Sequence, residues 1–199
     1  MKSNFNLLAC VLTLFILAAC LKMYLESDSY NLRCIISDVD SKQYCVREKD
    51  KLYETADLLA TVTNKLKKLV DITYEKHKNN EDVQTLYKRF NPSKVSEILP
   101  TSKYTAYSEN KGEKLAFCTT TEKTNNIMID ENTLTFVGIH EISHIMTKSV
   151  GHKKEFWQNF KFLLDIAVEN NIYNPVNYKK KPQKYCGMDI TDNPYYDMV

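Results

Sequence analysis

The 199-residue chain has almost no net charge: 27 lysines and arginines stand against 25 aspartates and glutamates, a balance of +2. Proteins that work on nucleic acid draw on a strong positive field, so this balance gives no electrostatic case for nucleic acid as the main partner. Lys179, Lys180, Lys181 and Lys184 form a local basic cluster, which reads as a solvated loop rather than a binding patch. No C-x-x-C pair occurs, which argues against a cysteine zinc site. No N-x-S/T sequon occurs, so glycosylation gives no clue to compartment. No internal repeat is visible. Histidine is scarce, with four in the whole chain.

What is present is a globular composition, 43% hydrophobic and 26% charged. The first apolar stretch, Phe5 to Leu21, is interrupted only by Asn6 and Thr13. At about 17 residues it is at the short end of what crosses a bilayer as a helix. The expectation is an N-terminal signal anchor over 1–25, giving a single-pass membrane location. A cleaved signal peptide and a lipoprotein signal (Leu17-Ala18-Ala19-Cys20) are the alternatives, giving a secreted or lipid-anchored protein. Residues 26–48 read as a linker and β-hairpin, and 49–199 as the main domain.

Cys34, Cys45, Cys118 and Cys186 lie outside the apolar segment and allow three pairings. Cys34 and Cys45 flank a turn-like Asp38-Val39-Asp40-Ser41, compatible with a bridge across a hairpin. Free buried thiols are an equal alternative.

From Asp50 to Lys78 apolar residues recur at three- and four-residue steps: Leu52, Ala56, Leu59, Val62, Leu66 and Leu69. That periodicity predicts a long amphipathic helix. A shorter helix follows from Glu81 to Phe90, ended by Asn91-Pro92, and Ser93 to Leu99 reads as one more helical turn before Pro100. Tyr104–Tyr107 and Lys114–Cys118 read as strands about an Asn110-Lys111-Gly112 turn, and Ile127–Ile129 as a short third strand. Asp130 is placed to cap a helix over about Glu131 to Lys148, and Ser149-Val150-Gly151 breaks it. A last amphipathic helix runs from about Lys153 to Asn170. The tail from Tyr173, with Pro175, Pro182 and Pro194, reads as an irregular wrap.

The chemistry concentrates in His140-Glu141-Ile142-Ser143-His144. Residues four apart on a helix share a face, so the two imidazoles can donate to one ion at a zinc–nitrogen distance of about 2.0–2.1 Å. Glu141 projects beside them, not as a ligand but within reach of a metal-bound water, whose proton it can take and pass to a leaving amine. With so little histidine, composition alone yields H-E-x-x-H in on the order of one chain in a hundred or fewer. His77, in a charged helix end, reads as simply exposed. A catalytic zinc takes a third protein ligand and keeps a position open. His152 is the leading candidate, because glycine at 151 lets the chain turn back towards the metal. Asp165 and Glu169 on the next helix, and Glu155, are the alternatives. An oxyanion stabiliser could be a tyrosine, with Tyr173, Tyr178 and Tyr185 the nearest in sequence.

The stretch His140 to Met146, followed by Gly151-His152-Lys153-Lys154-Glu155-Phe156-Trp157, resembles the WLM and SprT-like zinc metallopeptidases. From about Tyr104 to Tyr196 the chain is similar to WLM-like proteins of large DNA viruses. The resemblance implies His140, His144 and His152 as ligands of one catalytic Zn²⁺, with Glu141 as base. It implies a peptidase acting on protein or peptide substrates, and the apolar N-terminal segment makes the expectation a membrane-anchored one. It also implies an α+β, small zincin-like fold with helices on a short, mainly antiparallel sheet, whose edge strand (Tyr104–Ser108 or Lys114–Cys118) pairs with extended substrate. WLM and SprT relatives are associated with DNA–protein crosslink repair. A zinc-binding but non-proteolytic virion membrane protein is the alternative function. Cys186-Gly187-Met188 is similar to the methionine turn of metzincins, but the His144–His152 spacing is not theirs, so Met188 is read as ordinary packing.

Overall fold

The computed structural model describes residues 2–25 and 32–197. The linker expected from residue 26 therefore falls mostly outside the described residues. The first element is helix α1 (Lys2–Leu25), with Val11, Leu14, Phe15 and Leu17 exposed. The expected single-pass membrane helix is corrected here: among the described residues, no helix is long and apolar enough to cross a membrane. The physical reason is reach. The run from Phe5 to Leu21 rises only about 25 Å at 1.5 Å per residue, against a hydrocarbon core about 30 Å thick. The membrane location inferred from that run falls with it.

The body is α+β, a five-stranded sheet packed against helices. Strands β1 (Leu32–Ile36) and β2 (Gln43–Arg47) form the expected hairpin, with Cys34 directly opposite Cys45 and the two joined as a disulfide. Helix α2 (Leu52–Lys76) buries the predicted stripe, including Ala56, Leu59, Val62, Leu66 and Leu69. Helix α3 (Glu81–Arg89) is capped by Asn80, whose side chain accepts from the backbone N–H groups of Asp82 and Val83.

Two expectations about the sheet are overturned. The segment read as a helical turn is strand β3 (Val95–Glu97), buried throughout and lying between β2 and β5 (Lys114–Phe117). Because the α2–α3 crossover returns the chain in the same direction, β3 runs parallel to β2, and it is also parallel to β5. The sheet, in the order β1-β2-β3-β5-β4, keeps mainly antiparallel residue pairing, at β1–β2 and β4–β5, around a parallel centre at β3. Strand β4 (Ala106–Glu109) is one edge and β1 the other. The third strand expected at 127–129 reduces to one antiparallel bridge, Thr120 to Met128.

A buried charge network joins the ends of β2, β3 and β5. Glu97 accepts from Arg47 Nε at 2.7 Å and Lys49 Nζ at 2.7 Å, and Thr119 Oγ1 also donates to it. Burial lowers the Lys49 pKa, opposed by the charge of Glu97.

Helix α4 (Glu131–Met146) starts at the expected cap: Asp130 accepts from Thr133 N at 2.8 Å and from Thr133 Oγ1 at 2.7 Å. Helix α5 (Lys154–Glu169) follows. The tail is not wholly irregular. Strands β6 (Gln183–Tyr185) and β7 (Met188–Ile190) form a hairpin, followed by a 3₁₀ turn at Pro194–Tyr196. Cys186 and Gly187 have φ of +54° and +83°, the left-handed pair that a tight two-residue hairpin turn requires. A second disulfide, Cys118–Cys186, ties this hairpin to the end of β5.

Candidate metal centre

Helix α4 is buried on nearly every side, and His140 and His144 lie one turn apart on it. Past Met146 the chain leaves the helix through Ser149-Val150-Gly151, where Gly151 takes φ +81°. Glu155, in the first turn of α5, accepts from the backbone N–H groups of Lys148 and Ser149 at 3.3 Å each. Trp157 Nε1 donates to the carbonyl of His152 at 3.1 Å. These contacts fold the loop back and set His152 beside α4.

The outcome is a triangle of ring nitrogens. The Nε2 atoms of His140 and His144 are 3.2 Å apart, those of His144 and His152 3.1 Å, and those of His152 and His140 3.1 Å. A tetrahedral ion with bonds of about 2.0–2.1 Å spaces its ligand nitrogens about 3.3–3.4 Å apart. The observed edges fall just short of that spacing, so the donor set fits a metal ion. Among the described residues these three form the one group of His, Cys, Asp or Glu side chains able to hold an ion. Asp165 and Glu169 are not part of it, and Glu169 is instead ion-paired with Lys76 at 3.1 Å. Glu155 serves the loop, as above.

Burial pushes the His140 imidazole down to about 3, with His144 and His152 adding to the effect. Burial pushes His144 down to about 4, with His152 and Lys111 adding to it. Both rings are thus neutral at physiological pH, the form that donates a lone pair. Phe156 floors the cluster, stacked on His144 at 4.2 Å and edge-on to His140 and His152. Glu141 is 6% exposed, and burial raises its carboxyl to about 7.

The cleft in front of these residues has a volume of about 770 Å³ and runs along β4. The Cys118 N–H donates to Thr105 O at 2.9 Å. By the alternation of antiparallel pairs, the main-chain groups of Tyr107 then face β5, and those of Ala106 and Ser108 face outward. Lys111, in the β4–β5 turn, donates to the carbonyls of Thr147 and Lys148 at 2.7 Å each, satisfying the C-terminal end of α4 and tying the edge strand to it.

Of the three tyrosines considered, Tyr173 and Tyr178 pack on Phe136 away from the histidines. Tyr185 lines a cavity with His140 and Glu141, its hydroxyl donating to Thr105 O at 3.1 Å. Met188, expected as ordinary packing, is 50% exposed and borders the same cleft. Sequence reasoning missed it as a lining residue because the hairpin that carries it was not recognised. Another cavity, about 530 Å³ beside Arg47 and Lys49, shares none of these residues.

Fold and site together define an α+β protein with a three-histidine centre able to hold a metal ion beside a buried glutamate. No protein-family model matches the chain. It is 29% identical over 161 residues to an uncharacterised protein of Acanthamoeba polyphaga mimivirus, covering 79% of this chain and 81% of that one. It is 32% identical over 85 residues to an uncharacterised protein of Invertebrate iridescent virus 3, covering 42% of this chain but only half of that one. A third relative, from Invertebrate iridescent virus 6, is 39% identical over 57 residues, covering 29% of this chain and 31% of its own length. These relatives are viral, in keeping with the resemblance drawn from the sequence. Among solved structures the chain is similar to a Wss1 mutant from S. pombe, with a TM-score of 0.39 and 18% identity, covering 61% of this chain and 92% of that one.

Proposed function

We propose that the chain is a zinc-dependent peptidase of the WLM/SprT type with a small zincin-like fold, acting on protein or peptide substrates. One observation carries the reading: three imidazole nitrogens, two from one helix and one from the following loop, meet at 3.1–3.2 Å. His140, His144 and His152 are the ligands in this reading. Zinc held by these three would supply Lewis acidity and would lower the pKa of a water to about 7.

The chain's own residues do the rest. Burial keeps His140 and His144 neutral. Glu141 is the general base: its carboxylate takes a proton in the cleft and returns it to the leaving amine. An extended substrate segment adds to the outward-facing main chain of Ala106 and Ser108, as strands add to an open sheet edge. Of the two strands considered for that role, β4 has the free edge, and β5 is enclosed on both sides.

The test is zinc content together with turnover. Purified chain is expected to bind one zinc and to cleave an unfolded protein, and Glu141→Gln to keep the zinc while losing roughly 10²–10⁴ in rate. Equal cleavage by both proteins would sink the assignment. Stoichiometric zinc with no turnover on any unfolded substrate would leave a structural metal site instead.

A further inference from the structure

The cleft has a side cavity that the proposed chemistry does not use. It has a volume of about 260 Å³ and is walled mainly by Phe136, Val137, Trp157, Phe160, Ile190 and Pro194. Phe136 and Val137 lie one turn before His140 and Glu141 on α4, so the cavity opens on the same helix face as the candidate reacting groups. It shares Thr105, Ala106, His140, Glu141 and Met188 with the larger cleft, which makes it a branch of that cleft rather than a separate hole.

We propose that this cavity is the pocket that selects the substrate, taking a large apolar side chain, leucine to phenylalanine in size, from a residue adjoining the bond that is cut. The inference rests on the peptidase reading above and deepens it. Size is the first argument: an apolar cavity of roughly 150 Å³ accommodates a benzene ring, so this one has room for an isobutyl or phenyl group. Geometry is the second. Side chains of an extended segment alternate between faces, so a strand laid along β4 past Ala106 directs one of them into the opening. Charge is the third. The carboxylates lining the pocket are Glu141, Asp189 and Asp192, beside the polar groups of Thr105, His140, Tyr185 and Thr191, and no lysine or arginine lines it. Asp192 is paired with Lys179 at 3.2 Å, whereas Asp189 has no ion pair among the described residues. An acidic substrate residue therefore meets like charge and an apolar wall, and is excluded.

Trp157 is the chain's one tryptophan and lines this pocket, so its fluorescence reports occupancy without any need for turnover. The experiment titrates short blocked peptides, identical except for one Phe, Leu, Ala or Glu, into full-length Glu141→Gln protein, and separately maps the bonds that wild-type protein cuts in an unfolded substrate. Phe and Leu peptides are expected to bind at least tenfold tighter than Ala, since a methylene in an apolar pocket discriminates by about tenfold or more, with Glu weakest. Ala106→Leu, which narrows the mouth, is expected to weaken Phe binding at least tenfold with an unchanged circular dichroism spectrum. Ile190→Ala, which widens the wall, should shift preference from Leu towards Phe. Equal affinities across the series, or selective binding untouched by both variants, overturns the pocket. Selective binding without cleavage by wild type overturns the peptidase reading and leaves the pocket standing. Cleavage with no apolar preference beside the cut sites does the reverse.

Discussion

His140 and His144 meet because four residues make about one helical turn, and that needs no tertiary information. His152 is different. Asp165, Glu169 and Glu155 were open alternatives in the sequence, since a loop's path depends on contacts made far from it. Here those contacts are Glu155 with the amides of Lys148 and Ser149, and Trp157 with the carbonyl of His152. Tyr185 was likewise one of 13 tyrosines until the hairpin brought it to the cleft. At this scale the consequence is metal-linked stability. An ion that binds only the folded chain stabilises it by about 2.7 kcal/mol at a free concentration 100 times its Kd. For a domain of this size that is a melting-temperature rise of about 5–11 °C. Calorimetry with zinc and then with chelator should show this shift in wild type and its loss in His140→Ala. A chelator-insensitive melting temperature in wild type would count against the site.

The helices were legible because their apolar spacing is local: α2, α4 and α5 lie close to where periodicity and capping put them. Strand β3 was not. Val95-Ser96-Glu97 is three residues long, too short to display a period of two, and its glutamate argues against burial until its partners are known. Those partners, Arg47 and Lys49, are about 50 residues earlier in the chain. Glu97 and both cations have side chains at most 9% exposed. Removing one member of a buried pair leaves an uncompensated charge, so Glu97→Ala is expected to cost about 3–5 kcal/mol in urea denaturation. A cost under about 1 kcal/mol would show that the network is solvated. The β6–β7 hairpin escaped for a related reason: Cys186-Gly187 is not one of the common turn pairs, and a disulfide holds it in place.

Across the whole molecule, two disulfides act over very different distances. Cys34–Cys45 closes 11 residues within one hairpin, and Cys118–Cys186 closes 68 and pins the cleft's outer wall to the sheet. In the chain-entropy account these loops correspond to about 3 and about 4 kcal/mol. Cys186→Ala is thus expected to destabilise more than Cys34→Ala, and reductant to remove both contributions, as read by denaturation with and without dithiothreitol. Equal stability with and without reductant would show the thiols unpaired. The membrane expectation was a whole-molecule statement too, and it failed on reach. With it gone, the near-neutral charge is the remaining sequence argument against a nucleic-acid role.

The sequence by itself determined what short-range geometry dictates: the long helices, the cap at Asp130, the β1–β2 hairpin, and the pairing of His140 with His144 beside Glu141. Each depends on residues within one or two turns of one another. Tertiary structure alone decided the place of His152, the parallel insertion of β3, the free edge of β4 over the cleft, and the disulfide-held hairpin that completes its wall. Each of these joins segments tens of residues apart, where the deciding energies are packing and buried charge rather than local propensity.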